Sequence, residues 1–514
     1  MSGSRMADVT SPKRCWRTRL LLAAALAVAV AAFAAQPSPT FGDRFLDRTL
    51  WADCSFMGNA EGVHVSLDRL VEGGPWAGPL SGLALPPENG RYAFQIVDED
   101  TKDLLFAQGF DCLLGEYETT EPARSGVSRT FRRSLCFPRP RRPFLLVVEK
   151  RDRGNRLHTI FSRRMDPAGG AVVREPSPEG DVTFSLLSGG DPHQEVDLVF
   201  LAEGYTALDQ DKFRADAAHA ADWLFGAEPF KSLKKRFNVW GVFRASQDRG
   251  VSEPEEGTFK RTALGASFNA LGLARYLLTE KGWTLRAMAE EVPCDAIIVL
   301  ANSGRYGGGG IYNDYCITTV DNERSKMVLL HEFGHAFAGL ADEYYLSEVA
   351  YSDFYPEGVE PLEPNITACA SRACLKWRDL LSPGIPVPTP WGKEEADALD
   401  VEKREAQRDL DRELEEARAR HLPENRVAAI KEAHQKKAAA ISAHLAQLRK
   451  RFAGVENKVG LFEGAGYASH GLYRPSMFCL MGTSPSLEFC PVCQRAIRRT
   501  VAHYAPVEKA RIPR

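Results

Sequence analysis

The chain has 514 residues and a formal net charge of −3, with acidic and basic residues interleaved along its length. At this size two or more domains with substantial cores are expected. No sustained basic stripe follows the first residues, so nucleic-acid binding finds no support.

Lys13, Arg14, Arg17 and Arg19 precede an unbroken apolar run from Leu20 to Ala35, and Ala32-Phe33-Ala34 offers a small-x-small cleavage site. This order predicts a secretory signal peptide over residues 1–35, with an uncleaved anchor as the alternative. The run falls short of the roughly 20 apolar residues of a membrane span. A secreted or periplasmic protein is expected, with no membrane association beyond the export signal.

Residues 40–187 carry strand-like runs separated by Gly, Pro and charge, such as Tyr92–Val97, Phe144–Val148 and Val182–Leu187. Their spacing predicts an amino-terminal antiparallel β-sandwich with a supporting or docking role. Ser188-Gly-Gly-Asp191 reads as a linker. From 191 to 510 strand and helix patterns alternate, and the fold class expected for the whole chain is α+β. Strands are predicted at Val196–Ala202, Asn238–Arg244, Ala296–Ala301 and Ile311–Val320, with a helix over 207–226. Gly307 to Gly310 either admits a substrate backbone at close range or makes a turn.

The segment His331-Glu-Phe-Gly-His335 contains H-E-x-x-H, preceded by the helix-compatible run Met327–Leu330. On a helix the two histidines lie one turn apart on one face and can reach one Zn2+ at roughly 2.0–2.1 Å. Glu332, beside them, can take the proton of an attacking water. Gly339 can end the helix, and Asp342 follows three residues later. Metzincin proteases likewise place a third ligand three residues after a glycine turn, although here the glycine comes one residue late. Asp342 is the expected third ligand and Glu343 the alternative. Substrate-binding residues are not assigned.

Residues 393–455 are rich in Ala, Glu, Arg and Lys, with one apolar stripe over Leu399, Ala406, Leu410, Leu414 and Ala417. A second runs over Val427, Ile430, Ile441, Leu445, Leu448 and Phe452, beyond a break at Leu422-Pro423. This predicts a helical-hairpin insertion, either a solvated spacer or a gate over the cleft or an arm for a docking partner. His434 and His444 on it read as surface histidines. Ten cysteines lie beyond the apolar leader, an even number that suggests disulfides in an exported protein. Cys490-Pro-Val-Cys493 is either half of a metal site or a redox pair. Cys369 and Cys374 are too loosely spaced to complete a four-cysteine site, and the disulfide or free-thiol reading is taken.

Tyr306–Asn313, His331–His335 and Gly339–Tyr344 together resemble the IgA-peptidase family of metallopeptidases. So do Phe200–Tyr205, Phe237–Trp240, Glu363–Thr367, Lys376-Trp377, Glu463–Tyr467, Tyr473–Ser476, Cys479–Met481 and Phe489–Cys493. The resemblance implies a secreted zinc endopeptidase with a metzincin-like catalytic domain, a zinc cofactor and a protein or peptide substrate. It also makes Met481, with Met477 second, the methionine packed beneath the metal. Tyr473 or Tyr344 is a candidate hydrogen-bond donor to the oxyanion. Asn365-Ile-Thr367 is formally a glycosylation sequon. Two other readings are a non-catalytic binding module on a protease scaffold and a zinc hydrolase acting on a cell-wall peptide.

Overall fold

Long strands with one face apolar must cover that face, and the amino-terminal part of the protein does so by stacking two sheets. In the computed structural model, which describes residues 40–170, 172–174, 180–345, 354–482 and 487–506, β1 (Phe45–Asn59) pairs antiparallel with β2 (Gly62–Glu72) and β5 (Arg129–Pro140). The second sheet has the antiparallel order β4 (Leu104–Phe110), β3 (Tyr92–Asp98), β6 (Phe144–Arg151), β7 (Leu157–Met165). Aromatic rings fill the space between them: Phe56 meets Tyr92 and Phe110, and Phe94 meets Phe137, with centroids 5.5–6.2 Å apart. One short parallel addition, β8 (Val172–Val173) on β2, departs from the purely antiparallel expectation. The expected signal segment lies outside the described residues. Phe41–Arg44 is a single helical turn, and the chain from Phe45 onward is one compact unit. Among the described residues no helix is long and apolar enough to cross a membrane.

The second sheet system has six strands in the order β13-β14-β12-β10-β11-β9. Its centre is parallel: β10 (Val196–Glu203), β11 (Phe237–Phe243), β12 (Ala296–Ala301) and β14 (Tyr315–Thr319). Every residue of β10, β12 and β14 is buried, as expected of strands covered on both faces. Side chains such as Leu198, Ile298 and Ile317 each stabilise the fold by about 1.5–3 kcal/mol through burial. The helix α1 (Gln210–Phe225) packs on β11 and on the later helix α3 (Ser325–Ala338); between them α2 (Gly282–Ala289) covers β5 of the sandwich.

Three expectations fail here. Val182–Leu187 is β9, not a sandwich strand: it pairs antiparallel with β11 and edges the six-stranded sheet. Gly189 and Gly190 donate to Asn238 Oδ1 at 2.8 and 3.1 Å, so the expected linker is a fixed turn inside this layer. Residues 311–320 do not form one strand. β13 (Gly308–Ile311) turns through Tyr312–Asp314 into β14, with Asn313 at φ +53°. Asn and Asp tolerate that left-handed turn, and they outweigh the apolar pattern around them.

The predicted insertion is a hairpin of α4 (Lys393–Ala419) and α5 (Glu424–Arg451). Leu399, Ala406 and Ile441 form its seam, with Leu445 against them. His434 is half-buried rather than an open surface residue: its side chain is 12% exposed, at 3.2 Å from the Ala406 carbonyl and 3.3 Å from Glu413. His444 is exposed. At the base Lys393 pairs with Asp397 and reaches Ser469 Oγ at 2.8 Å, and the Tyr345 hydroxyl bonds Asp397. The carboxy-terminal portion adds the β15 (Phe462–Ala465) and β16 (Ala468–Arg474) hairpin and α6 (Pro491–Tyr504), which packs on α3.

Candidate active site

α3 carries His331, Glu332 and His335, and it is apolar on its buried sides, where Leu329, Leu330, Phe333 and Phe337 are almost wholly enclosed. Its remaining face opens on a cleft of about 780 Å³. Gly339 ends the helix at φ +57°, a conformation glycine adopts without strain. The Gly339 and Leu340 N–H groups return to the carbonyls of His335 and Gly334, both at 3.0–3.2 Å, and this cap swings the chain back under the histidines.

The swing delivers Asp342. Its Oδ1 lies 3.0 Å from His331 Nε2 and 3.4 Å from His335 Nε2, and the two Nε2 atoms are 3.1 Å apart. Three ligand atoms on a tetrahedral ion with bonds of about 2.0–2.1 Å stand about 3.3 Å from one another, so this triangle is of the right size for zinc. Asp342 Oδ1 is buried and takes no hydrogen bond, as an oxygen reserved for a cation would be. Both Nδ1 atoms face carbonyl acceptors, His331 that of Leu480 at 3.0 Å and His335 that of Leu340. A carbonyl only accepts, so Nδ1 carries a proton in each ring and Nε2 is the nitrogen left to face the triangle. Tyr467 donates its hydroxyl to Asp342 Oδ2. The other candidate, Glu343, faces away from the histidines into a buried group with Cys479, Cys490 and Cys493.

Electrostatics tie the three together. Burial opposes the charged imidazoles, yet Asp342 outweighs it: His331 is raised and His335 is pushed up to about 9. Burial likewise opposes the Asp342 carboxylate, and His335 and His331 overcome it, holding Asp342 well below the usual range. Glu332 stands apart from the triangle, and burial lifts its carboxyl above that of a solvated glutamate despite the two histidines.

The glycine run forms the edge strand β13 on the cleft rim. A Cβ at Gly310 would lie 2.3 Å from the Glu332 carbonyl oxygen, and one at Gly308 would lie 2.5 Å from Val328 and 3.3 Å from Glu332 Cγ. These glycines let the strand lie directly on the helix that carries Glu332, a role different from a turn. Gly310→Ala is expected to destabilise the fold by about 1–3 kcal/mol and to lower activity by displacing Glu332, measured by urea denaturation beside a peptidase assay.

Met481 is fully buried beneath α3, its Sδ 2.9 Å from where a Cβ of Gly334 would stand, whereas Met477 is half-buried. Tyr344 lines the cleft, its ring stacked on His331 at 6.5 Å. Tyr473 does not: it pairs with Glu463 in the β15–β16 hairpin and with Thr367. Asn365 is wholly buried, bonded to both backbone groups of Ala341 and to Glu343, so the formal sequon is a structural brace. Cys369 and Cys374 form a disulfide, and the other described cysteines are free, so the even count did not mean a disulfide framework.

Sequence reasoning missed several cleft residues. Arg275 supplies a cation, and Asn89, Asp111 and Glu116 come from the sandwich, in which no site was visible. Burial raises Glu116 to about 7. Asn89 donates to the Gly339 carbonyl at 3.1 Å, Asp111 N–H to Tyr312 at 3.0 Å, and Asn313 to Gly109 at 2.6 Å. The sandwich therefore forms part of the cleft wall and holds the turn after β13 and the cap of α3. A second cavity of about 440 Å³ lies elsewhere, lined by Trp76, Arg286 and Cys294.

Two imidazoles and a carboxylate that converge in a cleft, with an uncommitted glutamate beside them, form a donor set suited to a metal-dependent hydrolase. Comparison with known families agrees. The model of IgA Peptidase M64 matches residues 184–501, and that of the Peptidase M64 N-terminus matches residues 40–162. The chain belongs to the IgA peptidase M64 family and is a zinc metallopeptidase. A search of curated proteins finds no match.

Proposed function

We propose that the protein is an exported endopeptidase whose zinc is held by His331, His335 and Asp342, with Glu332 as general base. The observation that carries this reading is the triangle of Nε2, Nε2 and Oδ1 atoms 3.0–3.4 Å apart, with Glu332 outside it in the lining of the same cleft. Zinc in that position supplies Lewis-acid activation of the attacking water and of the scissile carbonyl. Glu332 takes the proton of that water on its carboxylate and hands it to the leaving amine. Its burial makes it a better proton acceptor than a solvated glutamate. Leu480 and Leu340 hold the imidazoles through Nδ1, and Tyr467 holds Asp342. Tyr344 and Arg275 stand at the cleft where an oxyanion would need donors. Beyond the Gly308 carbonyl, which already accepts the Leu277 N–H at 3.3 Å, the β13 rim from Gly309 to Ile311 is where an extended peptide would lie, as in the metzincin-like arrangement that the sequence resembles. Export rests on the basic segment and apolar run of residues 13–35.

His331→Ala, His335→Ala and Asp342→Ala are each expected to lose about one zinc per chain, read by elemental mass spectrometry of the desalted protein. Retention of all metal by the histidine variants would refute the assignment. A panel of folded proteins, peptides and cell-wall peptides then separates protein cleavage from cell-wall peptide hydrolysis.

A further inference from the structure

The carboxylate that does not join the histidines has unusual company. Glu343, Cys479, Cys490 and Cys493 each offer a ligand atom, and these atoms all lie within 4.8 Å of one another. Cys493 Sγ is 3.1 Å from Glu343 Oε1, Cys490 Sγ is 3.9 Å from it, and Cys479 Sγ is 3.7 Å from Cys493 Sγ. A tetrahedral zinc site with Zn–S bonds of about 2.3 Å and Zn–O bonds of about 2.0–2.2 Å places its ligand atoms about 3.5–3.8 Å apart. The Cys479 and Cys493 sulfurs thus stand at a metal-site spacing, well outside the roughly 2.05 Å of a disulfide, and Cys490 is likewise free.

The surroundings point the same way. All four residues are at most 5% exposed, and Glu343 Oε2 is buried with no hydrogen-bond partner. A carboxyl group shut away from water with one oxygen unpartnered is costly without a cation to bind it. Cys490 caps the amino terminus of α6, where the helix dipole favours a thiolate. Backbone N–H groups aim at the sulfurs: Cys490 N–H at Cys479 Sγ at 3.3 Å and Cys493 N–H at Cys490 Sγ at 3.5 Å. Such N–H···S contacts are the outer-shell support that thiolate ligands receive.

We propose that Cys479, Cys490, Cys493 and Glu343 form a second, structural zinc site, closed to solvent and distinct from the one at His331. Four protein ligands leave no position for water, so the ion is not catalytic. Its task follows from which segments it joins. Glu343 adjoins Asp342, and its N–H donates to the Met481 carbonyl at 2.6 Å. Leu480, between Cys479 and Met481, supplies the carbonyl that orients His331. One buried ion would thereby staple the segment bearing Asp342, the turn beneath α3 and the start of α6.

The test is metal content and coordination in the full chain. Wild-type protein is expected to carry about two zinc ions, and the His331→Ala/His335→Ala variant about one. X-ray absorption of that variant should show sulfur neighbours at about 2.3 Å. Cys490→Ser/Cys493→Ser should keep one zinc with nitrogen and oxygen neighbours only; if it does not fold, the histidine variant and native-state disulfide mapping decide. A histidine variant free of metal, or with metal lacking sulfur neighbours, overturns the proposal. So does a disulfide among Cys479, Cys490 and Cys493. A wild-type protein holding a single sulfur-bound zinc would instead support this site and refute the one at His331.

Discussion

Glu332→Gln is expected to lower kcat by on the order of 10²- to 10⁴-fold while KM and metal content stay near wild type. Gln keeps the shape and removes the proton acceptor. It should fold well, because burial already favours the neutral form of the Glu332 side chain. Glu332 lies outside the triangle of ligand atoms, so its loss leaves those contacts in place. The check is a steady-state assay on a cleavable peptide beside elemental analysis of the same sample. Turnover within a few-fold of wild type would remove Glu332 from the mechanism. Joint loss of metal and turnover would make it a ligand instead.

Arg133→Ala is expected to destabilise the protein by about 3–5 kcal/mol, the usual result of removing one partner from a buried ion pair. Arg133 on β5 reaches Asp314 at 2.7 Å and donates also to the Ser134 and Asn313 carbonyls, with both charged side chains under 10% exposed. The pair crosses from the sandwich to the turn that begins β14, next to the cleft rim. Burial pushes the Asp314 carboxyl up, and Arg133 and Arg286 only partly offset it. Without Arg133 it rises further. The folded variant then keeps a proton on Asp314 over a pH range in which the unfolded chain has released it. Where the native state binds more protons, stability falls as pH rises. The deficit against wild type should therefore be smallest near pH ~4, in the ordinary carboxylate range, and grow toward neutral and alkaline pH. Urea midpoints at acid and alkaline pH read this directly, and a pH-independent difference would show that Asp314 is not the group left exposed.

The parts legible in the sequence are those governed by neighbours a few positions away. H-E-x-x-H on a helix puts two imidazoles on one face by the 3.6-residue period alone. Gly339 signals the cap that follows, and two apolar stripes with a Pro break describe the α4–α5 hairpin. Ala296–Ala301 is recognisable because a strand buried on both faces is a continuous apolar run. Two of the errors share one cause. Val182–Leu187 reads as a strand in any context, and only the vacant edge of β11 determines which sheet receives it. His434 lies on a polar-looking helix face, and only the partner helix buries it.

Chain-distant convergence accounts for the rest. By its local chemistry the sequence determined the class of site: the two histidines, the glutamate between them and a following acid. It favoured Asp342 over Glu343 only by the spacing from Gly339, because the two acids are adjacent and equally able to ligate. Tertiary structure separated them. The Gly339 cap aims Asp342 at the histidines, while Cys479, Cys490, Cys493 and Asn365 surround Glu343. Those partners lie some 20 to 150 positions away, and no local period or spacing encodes which of them a folded chain brings to one carboxylate. The cleft wall built from Asn89, Asp111 and Glu116 has the same origin, since a sandwich with no catalytic pattern of its own becomes part of the site only by packing against β13 and α3.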